Sequence, residues 1–322
     1  MNAPDRSRFL GGSDAAAVMG LSPWATPVEL WQQKTGRAPK PEPDAAQRRR
    51  MERGHRLEPF IRDMVLSKLR DEHGMDVELV TYNERYADPE HPFLSCEIDF
   101  ELLLTGTLLI GDTEVVFDRE HINGDAKSVS GFARKKWGPI DTEDVPIEYA
   151  AQFMHGLMVT GRRYCLVAAL RSFDDVDIYW TERDDETISS KRPRLVRFWV
   201  EHVLADVAPD PLDFSDIKAL FPLDNGLSVE ATPEIAEAVV KLQAVKRTIK
   251  AAEEHEAALT FAVAEFISPN SRLTFGGRDI ATWKAQQQRR LDQKALQEQA
   301  PEIAAKFTTS STMRVLRLKK EA

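Results

Sequence analysis

Cysteine is nearly absent from this chain: 322 residues contain two, Cys96 and Cys165. They stand far apart and in apolar company, which predicts buried free thiols rather than a disulfide or metal ligands. A four-cysteine iron–sulfur cluster is excluded for the chain by itself. Long hydrophobic runs are also missing. No stretch of about 18 uncharged apolar residues occurs, and the opening MNAPDRSRF has no apolar core of the secretory type, so a cytoplasmic location is expected. Positive charge is in deficit, with 43 Lys and Arg against 52 Asp and Glu and a net charge of −9. That balance argues against a protein that coats nucleic acid through phosphate contacts. It leaves room for a local basic channel, and Arg48-Arg49-Arg50, Arg134-Lys135-Lys136, Arg162-Arg163, Arg289-Arg290 and Lys319-Lys320 are candidates to line one, though each alone reads as a solvated face. The seven histidines are scattered without zinc-site spacing.

What is present divides the chain into three stretches. Residues 1–208 alternate helical and strand-like patterns, 209–232 hold Pro209, Pro211 and Pro222 and read as a linker, and 233–322 are mainly helical. Near the start, Gly11-Gly12-Ser13-Asp14 offers Ser13 or Asp14 as a helix cap. Leu57, Phe60, Ile61, Met64, Val65 and Leu69 then mark one face of a helix over 45–69. Strand patterns follow at 77–82, 94–104, 108–110, 114–117 and 122–129, with turns at Gly106 and Gly111-Asp112. A helix over 146–160, strands over 164–171 and 176–182, and a helix over 188–207 complete the first stretch. The order favours an α/β sandwich around a mixed sheet. Beyond 233, apolar residues at spacings of three and four predict a helical hairpin or short coiled coil. A β-hairpin turning at Gly276-Gly277 and a last strand over 313–319 are also expected. Trp24, Trp31, Trp137 and Trp180 read as packing residues, with Trp137 the candidate for stacking on an unpaired base.

Within this framework one ordered set carries chemistry. Glu58 lies on a helix, Asp99 on a strand, Asp125-Ala126-Lys127 on the next, and Gln152 on the helix after it. Carboxylates suit Mg²⁺, a hard cation that prefers oxygen ligands and retains waters. A lysine two residues beyond an acid on a strand shares its face, because side chains alternate. Asp99 and Asp125 can hold one ion between adjacent strands, with the Ala126 carbonyl as a further ligand. Glu58 can hold a second ion or orient a water. Lys127 would position the attacking water and offset developing charge, and Gln152 would hydrogen-bond that water or Lys127. Phosphodiester hydrolysis needs these parts. Taken singly, an acid-any-Lys triplet is a common surface strand pair, Glu58 an exposed helix charge and Gln152 an ordinary polar residue.

Five segments in order resemble the YqaJ-like viral recombinase family, relatives of the phage lambda exonuclease. They are RFLGGSDAAAVMGLSPWATPVELWQQKTG at 8–36, RGHRLEPFI at 53–61, LSCEIDFEL at 94–102, GDAKS at 124–128 and YAAQFMHGLMVTG at 149–161. The resemblance implies a PD-(D/E)xK nuclease, with a restriction-endonuclease-like core. It implies catalytic residues Glu58, Asp99, Asp125, Lys127 and Gln152, with metal ligands Glu58, Asp99, Asp125 and Ala126. It implies digestion of duplex DNA from its 5′ end with Mg²⁺, or Mn²⁺ in its place, leaving a 3′ single strand for a single-strand annealing protein, and a homotrimer around DNA in the cytosol of a phage or prophage host. Arg6 and Ser13 match positions that grip the terminal 5′-phosphate, where Gly11-Gly12 would let backbone amides approach an anion. Arg134 joins them as a candidate DNA contact. Asp125 stands where the family more often has glutamate, and the separation of Asp99 from Asp125 is generous. The alternatives are an endonuclease of the same fold, for restriction or repair, and a non-catalytic DNA-binding adaptor.

Overall fold

The structure, a computed structural model, describes residues 5–38, 42–129, 134–170, 175–310 and 312–319. It forms two compact units, Met1–Leu220 and Phe221–Ala322.

The first unit begins with a 3₁₀ turn, Arg6–Arg8, then α1 (Gly12–Val18) and α2 (Pro27–Lys34). Neither Ser13 nor Asp14 is the cap of α1. Gly11 takes that position, and the Asp14 carboxylate accepts the Gly11 N–H at 2.9 Å. Thr26 caps α2 in a reciprocal box with Glu29, and Pro27 sits at its first turn, where a missing N–H costs nothing. The long helix α3 (Ala45–Asp71) starts at Asp44, whose carboxylate accepts from Ala46 and Gln47 N–H groups. It buries Ile61, Val65 and Leu69 at a spacing of four, the stripe expected from the sequence.

Five strands then build one sheet in the order β1-β2-β3-β4-β5: β1 (Asp76–Ala87), β2 (Ser95–Ile110), β3 (Thr113–Ser128), β4 (Tyr164–Leu170) and β5 (Val176–Glu182). Neighbours are antiparallel except β3 and β4, which are parallel and joined through α4 (Ile147–Thr160). A parallel pair needs such a crossover. The short runs expected between 94 and 129 are two continuous strands of 16 residues meeting at Gly111. Gly106, expected as a turn, is instead a bulge at φ 137°, where the register against β3 shifts. This long hairpin accounts for the wide spacing between Asp99 and Asp125.

Helix α3 covers one face of the sheet, meeting Phe100, Leu102, Leu104, Leu166, Ala168 and Trp180. On the other side Cys165, Val167 and Ala169 pack with Phe153 and Leu157 of α4. β4 is thus buried on both faces, which is why its sequence YCLVAAL shows no polar alternation. Helix α5 (Asp185–Arg197) runs into a π-helical segment, Phe198–Leu204, that packs with α1, α2 and Leu94. Cys96 and Cys165 are buried free thiols. Trp31, Trp137 and Trp180 are buried, so Trp137 presents no face for base stacking; its ring lies 5.0 Å from Tyr179. Trp24 departs from the packing expectation and is 65% exposed. Within the stretch expected to be a linker, α6 (Phe214–Leu220) belongs to the first unit, tied by Asp216 to the Thr26 hydroxyl at 2.6 Å.

In the second unit, α7 (Pro233–Ile267) is one uninterrupted helix of 35 residues, not a helical hairpin. The expected β-hairpin is present as β6 (Arg272–Phe275) and β7 (Arg278–Thr282). Two short helices follow, α8 (Gln293–Gln299) and α9 (Pro301–Lys306). Residues 313–319, expected as a strand, have no regular structure. No described helix is long and apolar enough to cross a membrane.

Candidate active site

The register of the β2–β3 hairpin places Phe100 opposite Gly124, which brings Asp99 beside the Asp125-Ala126-Lys127 segment. The Asp99 carboxylate accepts the Ala126 N–H at 2.7 Å. Asp125 and Lys127 point the same way, as strand alternation requires, and the Lys127 ammonium lies 2.6 Å from Asp125 Oδ1. Gly124 is demanded by packing. A Cβ there would overlap the ring of Phe100, which is 1% exposed and has no space to retreat.

From α4, the Gln152 amide donates to Asp125 Oδ2 at 3.2 Å. Gln152 is itself pressed by α1, since a Cβ on Gly12 would stand 2.9 Å from Gln152 Cγ. Close approach of α1 to α4 therefore fixes the amide that fixes Asp125. From α3, Glu58 sits one turn before the buried Ile61 and carries its carboxylate to the same cleft, where it meets His55 Nδ1 at 3.1 Å. Pro59 follows it and has no N–H to give the His55 carbonyl.

Together these walls enclose a cleft of about 610 Å³, lined among others by Arg6, Ser13, Glu58, Asp99, Asp125 and Gln152. Arg6 donates to Ser13 Oγ at 3.0 Å, so the two residues matched to a 5′-phosphate grip stand together at its rim. The side chain of Arg134, which opens the 3₁₀ turn Arg134–Lys136, lies outside the described residues.

Electrostatics mark the two aspartates as the centre. Burial, reinforced by the neighbouring Asp125 charge and more weakly by Glu58, pushes the Asp99 carboxyl up to about 7, against the pull of Lys127 and the Ala126 N–H. Burial works against the Lys127 ammonium, yet the charges of Asp125 and Asp99 outweigh it and raise its pKa. Lys127 also faces the rings of Tyr149 and Phe153 at 5.3 and 5.6 Å.

A buried carboxylate beside a half-buried one is an arrangement that a divalent cation would relieve, and the donor set of Asp99, Asp125 and the Ala126 carbonyl is all oxygen. Among the described residues no three His, Cys, Asp or Glu side chains gather into a metal cluster. Glu58 lines the cleft but turns to His55, so the expected three-acid group is two aspartates with a third acid nearby. Two carboxylates fit the habit of Mg²⁺, which is commonly held by one or two with waters completing its shell.

Three side chains escaped the sequence reading. His55, one of the histidines that show no zinc-site spacing, is the partner of Glu58. Buried Lys34 donates to the Arg6 and Phe9 carbonyls at 2.7 and 2.6 Å and to Asp14 at 2.7 Å, tying the N-terminal turn down so that Arg6 reaches the cleft. Its sequence signal, a lysine in the last turn of a helix, reads as a helix-dipole partner. Arg85 of β1 reaches Ser95 Oγ at 3.0 Å, lies 3.5 Å over the Phe9 ring and adds positive charge to the cleft wall. Nothing in its neighbours signals that role.

Comparison with known proteins places the chain among relatives. The family described as YqaJ-like viral recombinase domain matches residues 3–163, half of the chain. The uncharacterized protein YqaJ of Bacillus subtilis (strain 168) is 26% identical over 318 residues, covering 96% of this chain and 91% of that protein. Solved structures with similarity include an alkaline exonuclease (LHK-Exo) from Laribacter hongkongensis, at 23% identity and a TM-score of 0.42, covering 63% of this chain and 91% of that one. A phage related exonuclease from Haemophilus somnus 129PT is similar at 11% identity and a TM-score of 0.37, covering 62% of this chain and 96% of that one.

Proposed function

The chain belongs to the YqaJ-like viral recombinase family, and from that premise we propose that it is a Mg²⁺-dependent exonuclease that digests one strand of duplex DNA from the 5′ end. The observation that carries the reading is convergence. Glu58, Asp99, Asp125 and Gln152, drawn from a helix, two strands and a second helix, line one cleft, with Lys127 bonded to its central carboxylate.

Asp99, Asp125 and the Ala126 carbonyl would hold the cation, which when bound offsets charge building on the phosphate and makes a water more acidic. The remaining work falls to the chain's own groups. Lys127 keeps its proton at Nζ and presents fixed positive charge to the pentavalent phosphate. Gln152 holds the Asp125 carboxylate through Oδ2, leaving Oδ1 toward Lys127. Glu58, paired with His55, would accept the proton from the attacking water. Arg6, Ser13 and Arg85 supply donors for the terminal phosphate and backbone. The product is a 3′ single strand, the substrate a single-strand annealing protein would take up.

Replacing Lys127 with Ala tests this reading. Cleavage should fall by about 10²-fold or more while binding to a labelled duplex end persists. Loss of binding in step with cleavage, or cleavage unchanged, would remove Lys127 from the chemistry. Covalently closed circles should survive; cutting them would favour an endonuclease.

A further inference from the structure

Apolar residues of α7 recur at a spacing of seven along two positions of the helix. Ile235, Leu242, Ile249 and Val263 occupy one seam position, with Glu256 between the last two; Ala238, Val245, Ala252, Leu259 and Phe266 occupy the other. This is the a/d seam of a coiled coil, maintained over five heptads. A helix of 35 residues carries it for about 52 Å. The seam is uncovered: Leu242 is 37% exposed, Ile249 51% and Phe266 77%. Part of it, Ala252, Leu259 and Val263, lines one wall of an open groove whose other wall is Ala281, Thr282 and Trp283.

Charge on the helix is divided by half. Residues 233–250 hold Lys241, Lys246, Arg247 and Lys250 against Glu234 and Glu237, while 251–267 hold Glu253, Glu254, Glu256 and Glu265 with no Lys or Arg. Intrahelical pairs, Lys241 with Glu237 at 2.8 Å and Lys250 with Glu254 at 3.7 Å, neutralise only part of it. A parallel partner would set like halves side by side; an antiparallel one sets positive against negative and also opposes the helix dipoles.

From these observations we infer that α7 pairs with α7 of a second copy of this chain as an antiparallel coiled coil. Overlap of residues 234–267 with the same residues of the second copy puts the centre between Lys250 and Ala251, and the seam then meets in register. Ile235 packs on Phe266 of the second copy, Ala238 on Val263, Leu242 on Leu259, and Ile249 on Ala252, so that small residues face larger ones in two of the four layers. Glu256 falls opposite Val245, beside Lys246 of the second copy, which compensates the one charged seam position. Lys246 faces Glu253 across the flank, twice by symmetry. The pairing is independent of any assembly made by the first unit, and each pair carries two nuclease clefts.

The test is the mass of the full chain in solution, by light scattering and sedimentation equilibrium at micromolar concentration. Leu242→Ser with Ile249→Ser should halve the mass whatever the first unit does. Since those changes can also fray the helix, charge reversal supplies a second arm with helix-compatible residues. Lys246→Glu and Glu253→Lys should each weaken association by about fivefold or more, and the double exchange should restore it. Strengthening by Lys246→Glu would indicate parallel pairing, in which Lys246 faces Lys241, and would overturn the proposal. So would a mass unchanged by the seam substitutions, or a wild-type chain that stays monomeric, either of which assigns the seam to another partner. Nuclease activity on linear duplex, measured on the same samples, separates this outcome from failure of the catalytic reading.

Discussion

At the scale of the residue, the cleft gathers charge that the fold alone does not balance. Asp99 has its pKa raised to about 7 in the folded protein from an ordinary value near 3.8, chiefly by burial and then by Asp125. For a carboxyl raised in this way the folded state holds the proton more tightly. Its contribution to stability is present at low pH and is lost as pH climbs from about 4 through about 7, an effect of a few kcal/mol at most. In chelator, thermal melts should therefore show wild type losing ground to Asp99→Asn over that window. Mg²⁺ should raise the melting temperature more at pH 8 than at pH 6, and Asp99→Asn should remove most of that shift. A Mg²⁺ effect independent of pH, or retained in Asp99→Asn, would contradict the assignment. Most of the cleft was legible in the sequence because strand alternation and segment order locate Asp99, Asp125, Lys127 and Gln152. What stayed hidden was pairing across distance, as with Lys34 and Arg85, where an isolated basic residue gives no hint of the carbonyl or ring it will meet.

At the scale of the element, glycines set how closely the site's supports approach. Gly124→Ala would drive a methyl group into the Phe100 ring in the core beneath α3, and should cost about 1–3 kcal/mol in denaturant unfolding. Gly12→Ala acts differently, because the added Cβ meets a side chain as well as backbone: it pushes on Gln152 Cγ at 2.9 Å and on the Gln152 carbonyl at 3.3 Å. It should lower kcat by several-fold or more with a smaller change in unfolding midpoint, and Gln152→Ala should abolish the difference between the two backgrounds. An equal loss in both backgrounds would show that α1 acts elsewhere. The strand pattern was readable for β4 and β5, whose burial leaves near-continuous apolar runs. It fragmented for β2 and β3, since Gly106 and the polar run Asp118 to His121 resemble turns although both lie inside long paired strands. The same ambiguity left the stretch beyond 233 open between a helical hairpin and a short coiled coil: spacings of three and four fit a packed hairpin as well as one exposed seam, and only the structure shows no break between Pro233 and Ile267.

At the scale of the whole molecule, the first unit contains every residue of the candidate site, and the second is built around a long helix with an unburied seam. Net charge argues against nonspecific coating of nucleic acid and leaves room for local positive charge, and the cleft has Arg6 and Arg85 in its walls around an acidic centre. The assembly proposed for α7 and the chemistry proposed for the cleft are separable, and the second is the central claim. Its most direct test is digestion of one linear duplex labelled separately at its 5′ and 3′ ends, followed over time with Mg²⁺ and with chelator. Early release of the 5′ label as mononucleotide is expected, with the 3′ label retained on a lengthening single strand and no release of either in chelator. Early release of the 3′ label, or undiminished digestion without a divalent cation, would contradict it.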